Sequence, residues 1–162
     1  MAGTRAELHA PFRPRRARAS ALAIAAAQLA LLAVVAVVLP GTGPVAFRWY
    51  DRLGVVAVGV AVGWFLLRFA RLEAVPSEAG LRVRNLFVVT ELEWAQVVSV
   101  RFGGGGPWVT LDLADGETLP VMAVQRADGA HGTAEARRLA TLVALHSPRD
   151  ASDEADESDE PA

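Results

Sequence analysis

The chain has 162 residues, 52% of them apolar and 21% charged, with no cysteine and a net charge of −2. That length holds one small domain plus additional segments. Without cysteine there is no disulfide scaffold, zinc knuckle, iron–sulfur cluster or thiol nucleophile, and without lysine there is no P-loop or Schiff-base site.

Residues 1–18 form a basic N-terminal arm carrying Arg5, Arg13, Arg15, Arg16 and Arg18. Residues 19–70 read as a two-helix transmembrane hairpin, with spans at about 20–39 and 50–69. No charge falls between Ala19 and Phe47, and Ala21–Leu39 holds only Ala, Leu, Val, Ile and one Gln. In a helix that run is roughly 28 Å long, close to the thickness of a bilayer's hydrocarbon core. Pro40, Gly41, Gly43 and Pro44 predict a tight turn after it. The second apolar run, Leu53–Leu67, is 15 residues long. Its flanking Arg52 and Arg68 can snorkel, and Trp49, Tyr50 and Trp64 suit the interface. Gly59 and Gly63, four apart, are candidates for close helix–helix packing, against chance spacing in an Ala/Gly-rich span. A cleaved signal peptide fits less well: the apolar run is too long, and no small-x-small site follows Leu39 promptly. The basic arm orients the hairpin with both chain ends in the cytoplasm, integral to the plasma membrane, and Arg68, Arg71, Arg82 and Arg84 agree with that side.

Beyond residue 71 the apolar period becomes two. Six strands are expected, near Leu72–Pro76, Leu81–Asn85, Phe87–Glu93, Val98–Phe102, Trp108–Leu113 and Thr118–Ala123. Asp115-Gly116 signals a type I′ hairpin, and Pro120 points to an edge or a bulge. A helix follows, with Thr133 as its cap and Ala136, Leu139, Leu142, Val143 and Leu145 as its apolar stripe. Glu135, Arg137 and Arg138 are expected on its outer face, and Ser147-Pro148 at its end. The folded domain is bounded at 71–147. Residues 148–162 form an acidic tail with the composition of a disordered segment.

The segment Gly80-Leu81-Arg82-Val83-Arg84-Asn85, followed by Leu92 to Phe102, resembles a bacterial PH-like family. Leu111 to Gly116 and Pro120 to Ala123 add to the likeness. The family is the actinobacterial PH domain-containing membrane proteins, related to the low-molecular-weight protein antigen 6 group. The resemblance covers about residues 12–146 and rests on structural, not catalytic, motifs. It implies an α+β fold with membrane helices: a two-helix transmembrane hairpin, then a PH-like antiparallel split β-barrel with one C-terminal capping helix. That barrel has one strand more than the six read here. It also implies no reaction, and a role as an interaction or oligomerisation module.

Candidate sites are few. Arg82, Arg84 and Arg101 are read as sharing one sheet face, a contact for a partner or an anionic headgroup, against an ordinary solvated face. Trp108, beside the Gly103–Gly106 loop, is read as a partner anchor, against packing on that loop. The loop lacks a P-loop's Lys-Ser/Thr and precedes a strand, so phosphate binding is not expected. His9, His131 and His146 are scattered, and Asp112, Asp115 and Glu117 read as hairpin residues. No catalytic residue, cofactor or metal is expected. Nor is nucleic-acid binding. Phosphoinositide-binding PH domains carry a basic cluster at the first hairpin; here that turn is Pro76-Ser77-Glu78-Ala79-Gly80, so no such site is supported. The function expected is a non-enzymatic, membrane-anchored module for protein interaction or oligomerisation on the cytoplasmic face. The alternatives are an anionic-headgroup sensor using Arg71, Arg82, Arg84 and Arg101, or an accessory subunit of a membrane complex.

Overall fold

Among the described residues, two long apolar helices precede six short strands, and a third helix follows them. The computed structural model describes residues 8–38 and 48–146. In it α1 spans Arg15–Val38, α2 Trp49–Ala70 and α3 Ala130–His146. The strands are β1 Glu73–Pro76, β2 Gly80–Arg84, β3 Val89–Glu93, β4 Val97–Arg101, β5 Trp108–Leu113 and β6 Thr118–Gln125. They form two antiparallel sheets, ordered β1-β2-β3 and β4-β5-β6. The expected Pro40–Pro44 turn, the Ser147-Pro148 stop and the acidic tail lie outside the described residues.

The helices pack as a pair. The Gln28 side chain donates from Nε2 to the Gly59 carbonyl at 3.3 Å. A Cβ on Gly59 would collide with Leu32, whereas one on Gly63 would meet nothing within 4 Å. Of the two glycines expected at the helix–helix contact, Gly59 lies directly against Leu32 and Gln28 of α1, and Gly63 has open space at its Cβ position. At its start α2 is closed by Asp51, whose carboxylate accepts from the Arg48 N–H at 2.9 Å.

Between the sheets and α3 lies one core. Phe12, Leu81, Val83, Leu111, Val121, Leu139 and Leu142 are each at most 1% exposed. Phe12 is the unexpected member, since residues 1–18 are expected to form an arm separate from the folded domain. It forms an isolated antiparallel bridge to Ala74, with Phe12 N donating to Ala74 O at 2.8 Å and Ala74 N returning a bond at 3.1 Å. No further strand is present among the described residues, and this single bridge extends the β1 edge instead. The Arg138 guanidinium lies 3.8 Å above the Phe12 ring and donates to the Leu8 and Ala10 carbonyls. Its other branch pairs with Glu135 at 2.7 Å. Arg138 and Glu135 thus turn inward, contrary to expectation, because they hold the incoming N-terminal segment. Leu145 is instead 63% exposed.

Three local readings also change. At Asp115-Gly116 only Gly116 has a positive φ, +86°, so a type I′ turn is ruled out. Gly116 N donates to Leu113 O and Leu113 N to Glu117 O, giving a three-residue loop with glycine in the left-handed position. On β4 the register shifts between Val97 and Ser99. That bulge buries Val97 and turns Val98 outward, 65% exposed, so Val97 replaces Val98 on the inward face, while Val100 and Phe102 pack against the core as expected. Finally, α3 starts at Ala130 rather than after Thr133. Gly129, at φ +62°, makes the bend into the helix, and the Thr133 hydroxyl donates back to the Gly129 carbonyl.

Pro120 sits on β6, an edge strand of its sheet, as its missing N–H requires. Its carbonyl accepts from Asn85 Nδ2 at 2.7 Å, and Asn85 Oδ1 accepts from the Met122 N–H at 3.2 Å. One side chain at the end of β2 therefore bonds the first sheet to the second.

Antiparallel strands alternate direction, so their connections fall into two sets. Arg126 N donates to Pro107 O, and Asp128 meets the start of α1, so the β4–β5 and β6–α3 connections lie at the end of the sheets that faces α1 and α2. Asn85 and Val89 line a cleft with Trp64 and Leu67, which puts the β2–β3 turn at that end too. Ala114 N donates to Gln96 O at the opposite end, and Trp94 Nε1 to Ser77 O.

Candidate functional site

The four expected contact residues occupy two places, one on each sheet. Arg82 and Arg84 alternate along β2 on one sheet face, while Arg101 lies on β4 in the other sheet. The expected common face is thus corrected: the chain crosses between sheets at Trp94–Gln96, which separates Arg101 from the pair.

Each arginine faces a carboxylate on a neighbouring strand. Arg82 lies 3.4 Å from Glu91 and Arg84 3.4 Å from Glu73, both in register as cross-strand partners. Arg101 pairs with Asp112, which also accepts a hydrogen bond from the Ser99 hydroxyl. That hydroxyl, then Arg101, holds the Asp112 carboxyl below its ordinary value against the opposing effect of desolvation. Such exposed pairs add little stability, but they fix how the arginines are presented.

Trp108 and Arg101 do come together. They line a groove of about 450 Å³ with Phe102, Gly103 and Thr110. Trp108 is half-buried and lines the groove. Gly103, Gly104 and Gly105 all have positive φ, a path open to glycine with little strain.

A second cleft was missed as a unit by sequence reasoning. Trp64, Leu67 and Arg68 of α2, with Arg71 just beyond it, face Arg84 and Val89 across about 440 Å³. Arg68 stacks over Trp64 at 5.1 Å. A smaller cleft alongside it shares Arg71 and Arg84 and adds Arg13, Arg18 and Glu73. Glu73 bridges Arg13 at 3.3 Å and Arg84 at 3.4 Å. The two adjoining clefts thus gather five arginines and one carboxylate, Glu73, which pairs with Arg13 and Arg84. The sequence signal was Arg68 and Arg71, three apart at the end of an apolar run.

The histidines are closer than their spacing suggested. His146 stacks on Trp94 at 5.0 Å, and His9 meets His146 edge-on at 6.0 Å. Among the described residues, no group of three or more His, Asp or Glu could hold a metal ion.

Residues 71–141 match a family described as Bacterial PH domain. The chain is also similar to uncharacterized proteins of Mycobacterium bovis and of two Mycobacterium tuberculosis strains. Each is 36% identical over 108 residues, covering 67% of this chain and 70% of the relative. No solved structure matches the chain.

Proposed function

We infer that this chain, which belongs to the bacterial PH domain family, is a membrane-anchored, non-enzymatic protein that displays its PH-like barrel on the cytoplasmic face. There the barrel associates with a protein partner, a second copy of the chain included. One observation carries the anchor: both long helices present apolar side chains to the outside. Leu29, Val38 and Val60 are 67%, 70% and 67% exposed, and both helices are long and apolar enough to cross a membrane. In water such a surface would drive aggregation; in a bilayer it is solvated. Arg13 before α1, Arg15, Arg16 and Arg18 in its first turn, Arg68 in the last turn of α2 and Arg71 just after it favour the cytoplasm for the barrel end.

The groove formed by Phe102, Trp108 and the glycine loop supports the association role. It offers a partly buried aromatic with exposed backbone beside it. Carbonate extraction of membranes tests the anchor, and the chain is expected in the pellet; release into the wash refutes it. Light scattering of the purified chain in detergent tests self-association. A Trp108→Ala variant is expected to shift it toward monomer, and a wild-type monomer at every concentration refutes that form of association.

A further inference from the structure

We propose that the cleft between the end of α2 and the β2–β3 turn holds the phosphate of an anionic phospholipid, with the tip of that turn inserted into the same leaflet. The inference rests on the membrane reading of α1 and α2. It concerns a surface distinct from the Trp108 groove.

Depth is the first consideration. Trp64 lies six residues before Ala70, the end of α2. At helical rise that is roughly 9 Å into the bilayer side of the junction. Tryptophan at such a level sits among headgroups. Asn85 and Val89 line the same cleft as Trp64, Leu67, Arg68 and Arg71, so the turn between them lies beside the last two turns of α2. Asn85 N donates to Val88 O at 2.9 Å, which closes the turn. At its tip Phe87 is 64% exposed and Val88 60%, with Val89 48% beside them. Three consecutive exposed apolar residues on a soluble turn are a liability; at headgroup depth they are a wedge.

Charge is the second. Arg68, Arg71 and Arg84 converge on the cleft, with Arg13 and Arg18 alongside, against Glu73. Guanidinium groups match phosphate oxygens in geometry and charge. Trp64 and Leu67 continue the wall on the apolar side, where acyl chains would run. The combination of phosphate-matching donors and an acyl-matching wall fits a lipid better than a free anion.

The chain has no cysteine, so single cysteines can be spin-labelled without background. Val58→Cys, Val88→Cys and Asp115→Cys would be placed in the full chain, reconstituted into phosphatidylcholine bilayers containing phosphatidylglycerol. Accessibility to oxygen and to a water-soluble nickel chelate reads depth. Expected is hydrocarbon for position 58, headgroup level for 88 and water for 115. If position 58 is aqueous, the anchor fails and this inference with it. If 58 is in hydrocarbon but 88 matches 115, only this inference fails. Native mass spectrometry from detergent supplies the second arm. Phosphatidylglycerol is expected to stay bound in preference to phosphatidylcholine. Arg68→Gln and Arg71→Gln should each weaken its retention roughly fivefold. Equal retention of the two lipids, or displacement by soluble glycerol phosphate, would overturn the lipid site.

Discussion

The carboxylate of Asp128 accepts a 2.8 Å hydrogen bond from the backbone N–H of Arg16, which lies 112 residues earlier. A second bond, 3.0 Å long, comes from the Arg15 N–H. Asp128 is thus the N-terminal cap of α1, supplied from the connection between β6 and α3. It satisfies two donors that a helix start otherwise leaves open, and its charge complements the helix dipole. Arg16 adds a bond to the Ala127 carbonyl at 3.0 Å. The barrel and the apolar helix pair are therefore joined at a second point besides the direct passage from Ala70 to Glu73.

Replacing Asp128 by Ala should cost about 1 kcal/mol, the usual value of a lost cap. Asp128→Asn keeps an acceptor and should cost less. Thermal unfolding in detergent measures the loss. Amide exchange at residues 15–18 localises it, with faster exchange expected in Asp128→Ala. Unchanged exchange there would remove Asp128 from the capping role.

Phe12 makes a larger contribution. Its ring is fully buried between the sheet edge and Arg138, so Phe12→Ala leaves a cavity worth roughly 3–5 kcal/mol. A fragment of residues 72–146 lacks this side chain and should be unstable, with a peptide of residues 8–14 restoring it. Circular dichroism with and without the peptide decides the matter. A fragment that melts as sharply without the peptide would show the barrel to be complete without Phe12.

The contrast between Phe12 and the strands shows what could be read from residues alone. Six strands were expected and six are present among the described residues, because alternation forces one face inward whatever the partner. The β4 bulge was hidden, since Val97-Val98-Ser99-Val100 alternates acceptably in either register. Phe12 gave no periodic signal, being one aromatic in an arginine- and proline-rich stretch. Asp128 has its partners more than a hundred residues away in sequence, so no local pattern marks it as a cap. Of the candidate contacts, Arg101 and Trp108 share a groove because they sit on paired strands near one loop. The cleft at Arg68, Arg71 and Arg84 draws on a helix end and a strand, so no local pattern announces it.

Gly59 and Gly63 should separate cleanly on substitution. Gly59→Val drives a side chain into Leu32 and displaces the carbonyl that receives Gln28. Gly63→Val enters open space. Cross-linking between α1 and α2 in detergent is expected to fall only for Gly59→Val. Gln28→Leu should lose about 0.6 kcal/mol, as interhelical hydrogen bonds in lipid typically do. Equal effects at both glycines would mean that α2 packs through a wider face than Leu32 defines.

Asp112 makes the barrel sensitive to acid in a predictable direction. Its pKa is lowered from the ordinary 3.8 chiefly by the Ser99 hydroxyl, and further by Arg101, with desolvation acting against them. A carboxyl depressed in the folded state stabilises that state above its unfolded pKa. The contribution is lost as pH falls through the folded value. Wild type should therefore be more stable than Asp112→Asn at neutral pH, and the gap should close below the ordinary value of 3.8. Ser99→Ala removes the leading cause, so it should narrow the same gap while leaving the Arg101 pair in place. Arg101→Gln should narrow it less. Thermal unfolding of the four proteins at neutral and acidic pH checks the sign. A gap that stays constant with pH would trace the Asp112→Asn loss to packing or hydrogen bonding rather than to ionisation.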